Sequence, residues 1–282
     1  MKKTRSLFLS TLILTGCQSQ SVAFHEPSAE KSIVRSETTA LASSLSNQRT
    51  LEILAEYKKQ DPVEWGERVT GVKNRFITTN KEIALTFDAC GGPHGSDVDE
   101  KLFTFLIDQQ IPSTLFVNSR WIDENTGLFQ ELAAEPIFQI ENHGTNHQPL
   151  SVNGRSAWGI MGTSSVNEVV QEITQNQDKI TELTDKKPSL FRSGTAYYDD
   201  VSVNIANEIG VEVVNYTILG DAGATFSRDQ VKDALIAASP GDIALLHANQ
   251  PASETAEGLK LAVPILKKKG YSFVQLKNQN LQ

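Results

Sequence analysis

The sequence predicts an α/β fold built around a parallel β-sheet. Seven stretches show the alternation or the short apolar run of a buried strand, and segments with helical spacing lie between them. Strands joined through helices pair in parallel, so the sheet is either open and doubly wound or closed into a barrel. The predicted strands are EIALTFD, PSTLFVN, PIFQIEN, PSLFRS, VEVVNYTIL, DIALLHA and YSFVQL.

The first predicted strand ends in an acidic residue. Ile83, Leu85 and Phe87 recur at every second position, which is the period of a strand, and a Gly-Gly pair after residue 90 breaks the pattern. Asp88 therefore lies at the carboxyl end of this strand.

The helical segments carry their own start signals. Ser165 with Glu168, and Ser227 with Gln230, have the spacing of a capping box. Apolar residues spaced at three and four also predict a helical lead-in over residues 48–79, ahead of a catalytic domain at 80–282. The main predicted helices are VDEKLFTFLIDQQ, SVNEVVQEITQNQDKITELT and SRDQVKDALIAAS.

Length and charge narrow the class of protein. A chain of 282 residues with 39% hydrophobic content is long enough for one sizeable core. The formal charge is -8, and removal of residues 1–16, which hold three basic residues and no acid, gives -8 - 3 = -11. Nucleic-acid binding is not expected, because the phosphate backbone favours a basic face.

The N-terminus predicts export. MKKTR is a basic segment, LFLSTLIL is too short to span a bilayer, and LTGC resembles a bacterial lipobox. That resemblance implies a signal peptide at 1–16, membrane attachment through lipidated Cys17, and a cell-envelope lipoprotein with a flexible tether at 17–47. Gln18 favours the outer membrane if the cell is Gram-negative. The alternative is an ordinary secretory signal with an incidental cysteine.

Polar side chains stand at or just after the ends of five predicted strands. In an α/β sheet the carboxyl ends of the strands gather the ligand chemistry, so these side chains are expected to meet at one rim. Three of the five histidines belong to this set. Its members are Asp88, His143, His147, Arg192, Asp221 and His247.

The pair in HGTNH suits a divalent metal. His143 and His147 are four residues apart, a spacing that places two imidazoles on the same side of a helical turn. Gly144 stands where a zincin would have its glutamate, so the metalloprotease interpretation fails.

Five motifs together resemble a known family. TFDAC, HGTNH, FRSGTAYY, the aspartate of ILGD, and ALLH follow the order and strand positions of the polysaccharide deacetylases, also called carbohydrate esterase family 4 or NodB homology domains. The resemblance covers about residues 80–278. It implies a distorted (β/α)7 barrel and metal-dependent removal of acetyl groups from N-acetylated glycans.

The resemblance also implies a role for each rim residue. His143 and His147 would be metal ligands, with zinc expected and cobalt or manganese as alternatives. Asp88 would be the catalytic base and Arg192 the cation that keeps it ionised. His247 would be the general acid, supported by Asp221.

The sequence departs from the family at the metal site. The first motif usually pairs two aspartates, and here the second is Ala89, which cannot bind a metal. The third protein ligand is left open among five residues of the same strand and loop: Asp88, Cys90, His94, Asp97 and Asp99. A Cys90 thiolate would favour zinc.

Two functions follow from this departure. The first is a deacetylase acting on peptidoglycan, a chitin-like glycan or poly-N-acetylglucosamine. The second is a glycan-binding lipoprotein on the same barrel that has lost catalysis together with the second aspartate. Four aromatic residues in or near the rim loops could stack on sugar rings or pack in the core: Trp121, Trp158, Tyr197 and Tyr198.

Overall fold

A computed structural model gives the structure of the protein and describes residues 48–282. The predicted signal peptide at 1–16 and the tether at 17–47, with Cys17, lie outside these residues. Among residues 48–282, no helix combines the length and the apolar composition that crossing a membrane requires.

The described residues alternate between strands and helices. The strands are β1 (Trp65–Gly66), β2 (Phe76–Ile77), β3 (Glu82–Ala89), β4 (Ser113–Val117), β5 (Phe138–Asn142), β6 (Ser156–Ala157), β7 (Ile160–Met161), β8 (Leu190–Phe191), β9 (Tyr198–Asp199), β10 (Glu212–Val213), β11 (Ile218–Leu219), β12 (Ile243–His247), β13 (Ser272–Phe273) and β14 (Asn280–Leu281). The helices are α1 (48–57), α2 (Glu100–Asp108), α3 (Ser119–Glu124), α4 (Thr126–Ala134), α5 (Val166–Thr184), α6 (Asp200–Ile209), α7 (Arg228–Ile236) and α8 (Thr255–Lys268).

Seven parallel strands form the central sheet in the order β10-β8-β5-β4-β3-β12-β11, and β13 pairs with the start of β3. The sheet curls into an incomplete barrel with its helices outside, which confirms the predicted α/β class and the distorted (β/α)7 barrel. The longest strand, β3, lies near the middle and pairs with both β4 and β12. Asp88 and His247 are direct partners in that register.

One predicted strand is divided in two. The segment VEVVNYTIL forms β10 and β11, which lie at opposite ends of the sheet order. The chain therefore crosses the open side of the barrel between them. Asn215 lies in this crossing, and its side-chain amide donates to the carbonyls of Glu67 and Ala196. Apolar alternation could not indicate the division, because both halves have the composition of a strand.

The helical lead-in expected over 48–79 is helical only over 48–57. Pro62 disfavours the helical conformation of the residue before it, and the chain continues through turns into β1 and β2. Ile53 and Tyr57 are buried against residues of α5 and α6, so this helix belongs to the domain core.

The predicted helix starts are present. Ser165 accepts a hydrogen bond from the Glu168 N–H at the start of α5, and Ser227 with Gln230 forms a complete capping box at α7. The largest apolar cluster lies between the sheet and the helices and includes Phe87, Leu115 and Trp121. This packing holds the carboxyl ends of the parallel strands at one edge.

Candidate active site

Asp88 and Arg192 form a buried ion pair at the carboxyl edge of the sheet. Arg192 Nη1 lies 2.8 Å from Asp88 Oδ1, and both side chains are shielded from solvent. The guanidinium also donates to the hydroxyl of Thr86 and to the carbonyls of Val214 and Asn215. Since each of its three nitrogens has a hydrogen-bond partner, the orientation of Arg192 toward Asp88 is fixed.

The surroundings of Asp88 favour its charged form. Burial alone would raise the pKa of Asp88, but the nearby Arg192, His143 and His247 outweigh burial, so its pKa lies below the usual range. The second oxygen, Oδ2, faces His143 Nε2 at 3.7 Å. Asp88 is thus an ionised carboxylate with one oxygen held by Arg192 and the other directed toward the histidine.

Asp221 and His247 form a second pair on the same rim. Asp221 Oδ1 lies 2.8 Å from His247 Nδ1, and Oδ2 accepts from the His247 N–H and from the Thr255 hydroxyl. Burial lowers the pKa of His247, but the Asp221 carboxylate and the Cys90 sulfur raise it more, so it lies well above the usual value. His247 can therefore hold a proton on its other ring nitrogen.

Cys90, His143 and His147 form a three-donor cluster. Their ligand atoms all lie within 4.8 Å of one another, and Cys90 Sγ is 3.8 Å from His143 Nε2. His143 Nδ1 contacts the Arg192 carbonyl oxygen at 2.9 Å. Because a carbonyl can only accept, Nδ1 carries the proton, and in the neutral ring Nε2 keeps a free lone pair.

This donor set fits a divalent cation. His147 Nε2 is buried and has no hydrogen-bond partner among residues 48–282. Burial raises the pKa of the Cys90 thiol, but the three neighbouring histidines outweigh burial and place it well below its usual range. Burial lowers the pKa of His143, but Asp88 and Cys90 raise it more. Asp88 and the Cys90 thiolate stabilise the protonated imidazole of His143, and the same negative charges would stabilise a bound cation.

The alternation of β3 decides which side chain joins this cluster. Phe87 and Ala89 point to the apolar layer under the helices, where Ala89 is 3% exposed. Asp88 and Cys90 point the opposite way, toward the histidines. Cys90, and not Ala89, therefore lies beside His143 and His147.

The sequence profile of the polysaccharide deacetylases matches residues 77–214, which contain Asp88, both histidines of HGTNH and Arg192. This segment of the chain matches the polysaccharide deacetylase family. Over 210 residues it is 28% identical to a peptidoglycan-N-acetylglucosamine deacetylase of Bacillus cereus, an alignment that covers 73% of this chain and 91% of that protein.

Solved structures of the family share the fold. PdaA of Bacillus subtilis, a family 4 carbohydrate esterase, aligns with a TM-score of 0.60 at 22% identity, covering 80% of this chain and 86% of that chain. A family 4 pseudoenzyme of Bacillus anthracis aligns with a TM-score of 0.61 at 19% identity, covering 81% and 79%. The fold therefore occurs in this family both with and without catalysis.

Glu172, on α5, binds the backbone of the loop that carries the two histidines. Both carboxylate oxygens accept from the Asn146 N–H, at 3.0 and 2.9 Å, and Oε1 also accepts from the Gln148 N–H. Gly144 makes this approach possible, because a Cβ there would lie 2.4 Å from Glu172 Oε1. Sequence reasoning missed Glu172. Its position on the buried face of α5, among apolar residues, was the available signal.

Gly194, in the FRSGTAYY segment, packs closely against His147. A Cβ on Gly194 would lie 2.4 Å from the backbone of His147 and 2.5 Å from its Cγ. The lack of a side chain at Gly194 lets the His147 ring lie against this segment.

Of the five candidates for the third protein ligand, Asp88 and Cys90 lie next to His143, at 3.7 and 3.8 Å from its Nε2. His94 and Asp97 are exposed outside the cluster, and Asp99 caps α2 by accepting from the Leu102 N–H.

Two of the four aromatic candidates for sugar stacking, Trp121 and Tyr198, are buried, at 1% and 0% exposure, so neither can stack on a sugar. The Tyr198 hydroxyl instead accepts from the Ser193 N–H and donates to Asn215.

Proposed function

We propose that the chain is a metal-dependent hydrolase that removes N-acetyl groups from an amino-sugar polysaccharide. The observation that carries the proposal is the meeting, at one rim, of three units: the Asp88–Arg192 pair, the His247–Asp221 pair, and the cluster of Cys90, His143 and His147. The Bacillus cereus relative, named a peptidoglycan-N-acetylglucosamine deacetylase, supports peptidoglycan as the first substrate to test. Chitin-like and poly-N-acetylglucosamine chains share its acetamide group.

Cys90, His143 and His147 would hold the cation. A thiolate with two imidazoles suits zinc, with cobalt and manganese as alternatives. When bound, a divalent cation supplies Lewis acidity that polarises a carbonyl group and makes water more acidic. Asp88 Oδ2, 3.7 Å from His143 Nε2, lies next to this position.

The two buried pairs supply acid and base. Asp88, kept ionised by Arg192, accepts the proton of the attacking water. His247, kept protonated by Asp221, donates a proton to the departing nitrogen and leaves the sugar with a free amine. Asp88 and His247 are adjacent on paired strands, so both can reach one acetamide. The lipobox resemblance supports an extracytoplasmic place of action, attached to the membrane at Cys17.

The test measures both the metal content of the protein and the acetate that it releases. For the purified chain without its first 47 residues, we expect about one equivalent of zinc or another transition metal and release of acetate from N-acetylglucosamine oligomers and peptidoglycan. His143→Ala should lose metal and activity together, because one of three donors is removed. Asp88→Asn should lose activity, since the amide cannot accept the proton.

His94→Ala is the matched control, because His94 is exposed and lies outside the cluster. It should keep both metal and activity. An Asp88→Asn variant with full activity would contradict the role of the base, and a chain that binds no metal after reconstitution would contradict the hydrolase proposal.

A chain that binds no metal after reconstitution would instead favour a glycan-binding protein without catalysis. Two observations support this alternative: the second aspartate of the first motif is Ala89, and a family 4 pseudoenzyme has the same fold. Retention of both the acid pair and the base pair favours the hydrolase, because binding alone requires neither.

A further inference from the structure

Three aromatic rings form a surface cluster beside the candidate active site. The Tyr197 ring lies between the other two, with its centroid 5.8 Å from that of Trp65 and 5.8 Å from that of Trp158. The Arg155 guanidinium lies 5.6 Å from the Trp65 ring. Trp158 is 74% exposed, so this large ring contributes little to the packing of the domain.

The cluster is held by three separate elements. Trp65 lies on β1, which pairs with β9 next to Tyr197. Trp158 lies in the two-residue turn of the β6–β7 hairpin, and both turn residues have positive φ, 54° at Trp158 and 78° at Gly159. A bulky side chain is uncommon in this left-handed conformation, where asparagine or glycine is preferred. A strained and exposed tryptophan points to a role outside folding.

The segment after Arg192 connects the aromatic cluster with the candidate active site. Tyr197 belongs to the segment after Arg192, and its carbonyl accepts from the Ser193 hydroxyl and from the Leu150 N–H. Gly194, in the same segment, packs directly against His147. The segment that carries Tyr197 therefore also contacts the loop of the two histidines.

We infer that Trp65, Tyr197 and Trp158 form a second sugar-binding subsite, which holds another unit of the same glycan strand away from the reacting acetamide. The inference rests on the proposed function for the nature of the ligand. The C–H faces of pyranose rings stack on aromatic rings, and the Arg155 guanidinium can donate hydrogen bonds to sugar hydroxyls. The subsite makes affinity depend on the length of the glycan.

The test is calorimetric titration with the dimer and the hexamer of β-1,4-linked N-acetylglucosamine. All variants carry Asp88→Asn, so that the oligomers stay acetylated during the titration. Trp158→Ala should weaken hexamer binding about tenfold, equivalent to about 1.4 kcal/mol, and leave dimer binding unchanged. Trp158→Phe should keep most of the hexamer affinity, because a stacking ring remains.

Met161→Ala is the control, because Met161 lies on the same hairpin and is 65% exposed but has no ring. Equal hexamer affinity in the Trp158→Ala and Met161→Ala backgrounds would overturn the subsite, as would a parent protein that does not bind the hexamer. Failure of the proposed hydrolysis would be seen separately, as absence of acetate release by the wild-type chain that still binds the hexamer better than the dimer.

Discussion

At the scale of residues, two neighbours at the carboxyl end of β3, Ala89 and Cys90, have opposite surroundings. Cys90 faces two histidines whose ring nitrogens lie within 4.8 Å of its sulfur, whereas Ala89 packs in an apolar layer with Phe87 and Val117. The family motif aligns the second acidic ligand with Ala89, but the alternation of the strand directs Cys90 toward the histidines. A carboxylate should therefore have different effects at the two positions.

Cys90→Asp should keep metal binding, because its carboxylate would lie on the face of His143 and His147. In a Cys90→Ser background, Ala89→Asp should fail to restore binding and should lower the free energy of unfolding by about 2 kcal/mol, because a carboxyl group would enter the apolar layer. Metal content by mass spectrometry and urea unfolding measure the two effects. Full metal content in the Ala89→Asp, Cys90→Ser protein would assign the ligand to position 89 instead.

At the scale of elements, the loop that carries His143 and His147 is shaped by contacts from three other segments. Glu172 on α5 binds the backbone of the loop from one side, and Gly194 lies against His147 on another. Asn118, at the start of α3, adds hydrogen bonds to the carbonyls of His143 and Gly144. The loop is thus positioned by elements distant in sequence, which fixes the histidine rings before a ligand binds.

Gly194→Ala should weaken metal binding by about 10- to 100-fold, the range typical for loss of a group that supports a ligand, because the new methyl would displace His147. Competition with a chromophoric chelator measures this affinity. Gly127→Ala in α4 is the matched control, since a Cβ there would have no atom of residues 48–282 within 4 Å. An unchanged metal affinity in Gly194→Ala would show that the loop adapts without cost.

At the scale of the whole molecule, buried carboxyl groups link stability to pH. Burial raises the pKa of Glu172 to about 7, against an opposing effect of the Asn146 and Gln148 N–H groups and of the charges of Arg120 and His143. In the folded state Glu172 therefore keeps a proton at pH values where it would lose that proton in the unfolded chain. The stability that this proton adds is complete below about pH 4.5 and is lost as the pH rises through about 7.

Glu172→Gln removes this titration and keeps a polar side chain at the loop. The melting temperature of the wild-type chain, relative to that of the variant, should fall as the pH rises from about 4.5 to 7, because only the wild type loses its bound proton. Glu182→Gln, an exposed change on the same helix, is the control and should parallel the wild type. A difference between wild type and Glu172→Gln that is constant with pH would refute the linkage.

Much of the fold and the site followed from local patterns. Apolar periodicity and capping residues located the buried strands and three main helices, because these signals depend on neighbours in the chain. The rule that parallel strands gather their carboxyl ends at one edge then brought together Asp88, His143, His147, Arg192 and His247, with Asp221 beside His247.

The tertiary structure decided what depends on contacts between distant segments. It divided the predicted fifth strand, because the two halves find partners at opposite ends of the sheet. It ended the lead-in helix at residue 57 and placed Cys90, rather than His94, Asp97 or Asp99, beside the two histidines. It also brought Trp65 to Tyr197 and Trp158. The sequence by itself determined the elements and the chemical groups at their ends. Which of those groups share a site was set by packing, since distance along the chain does not determine distance in space.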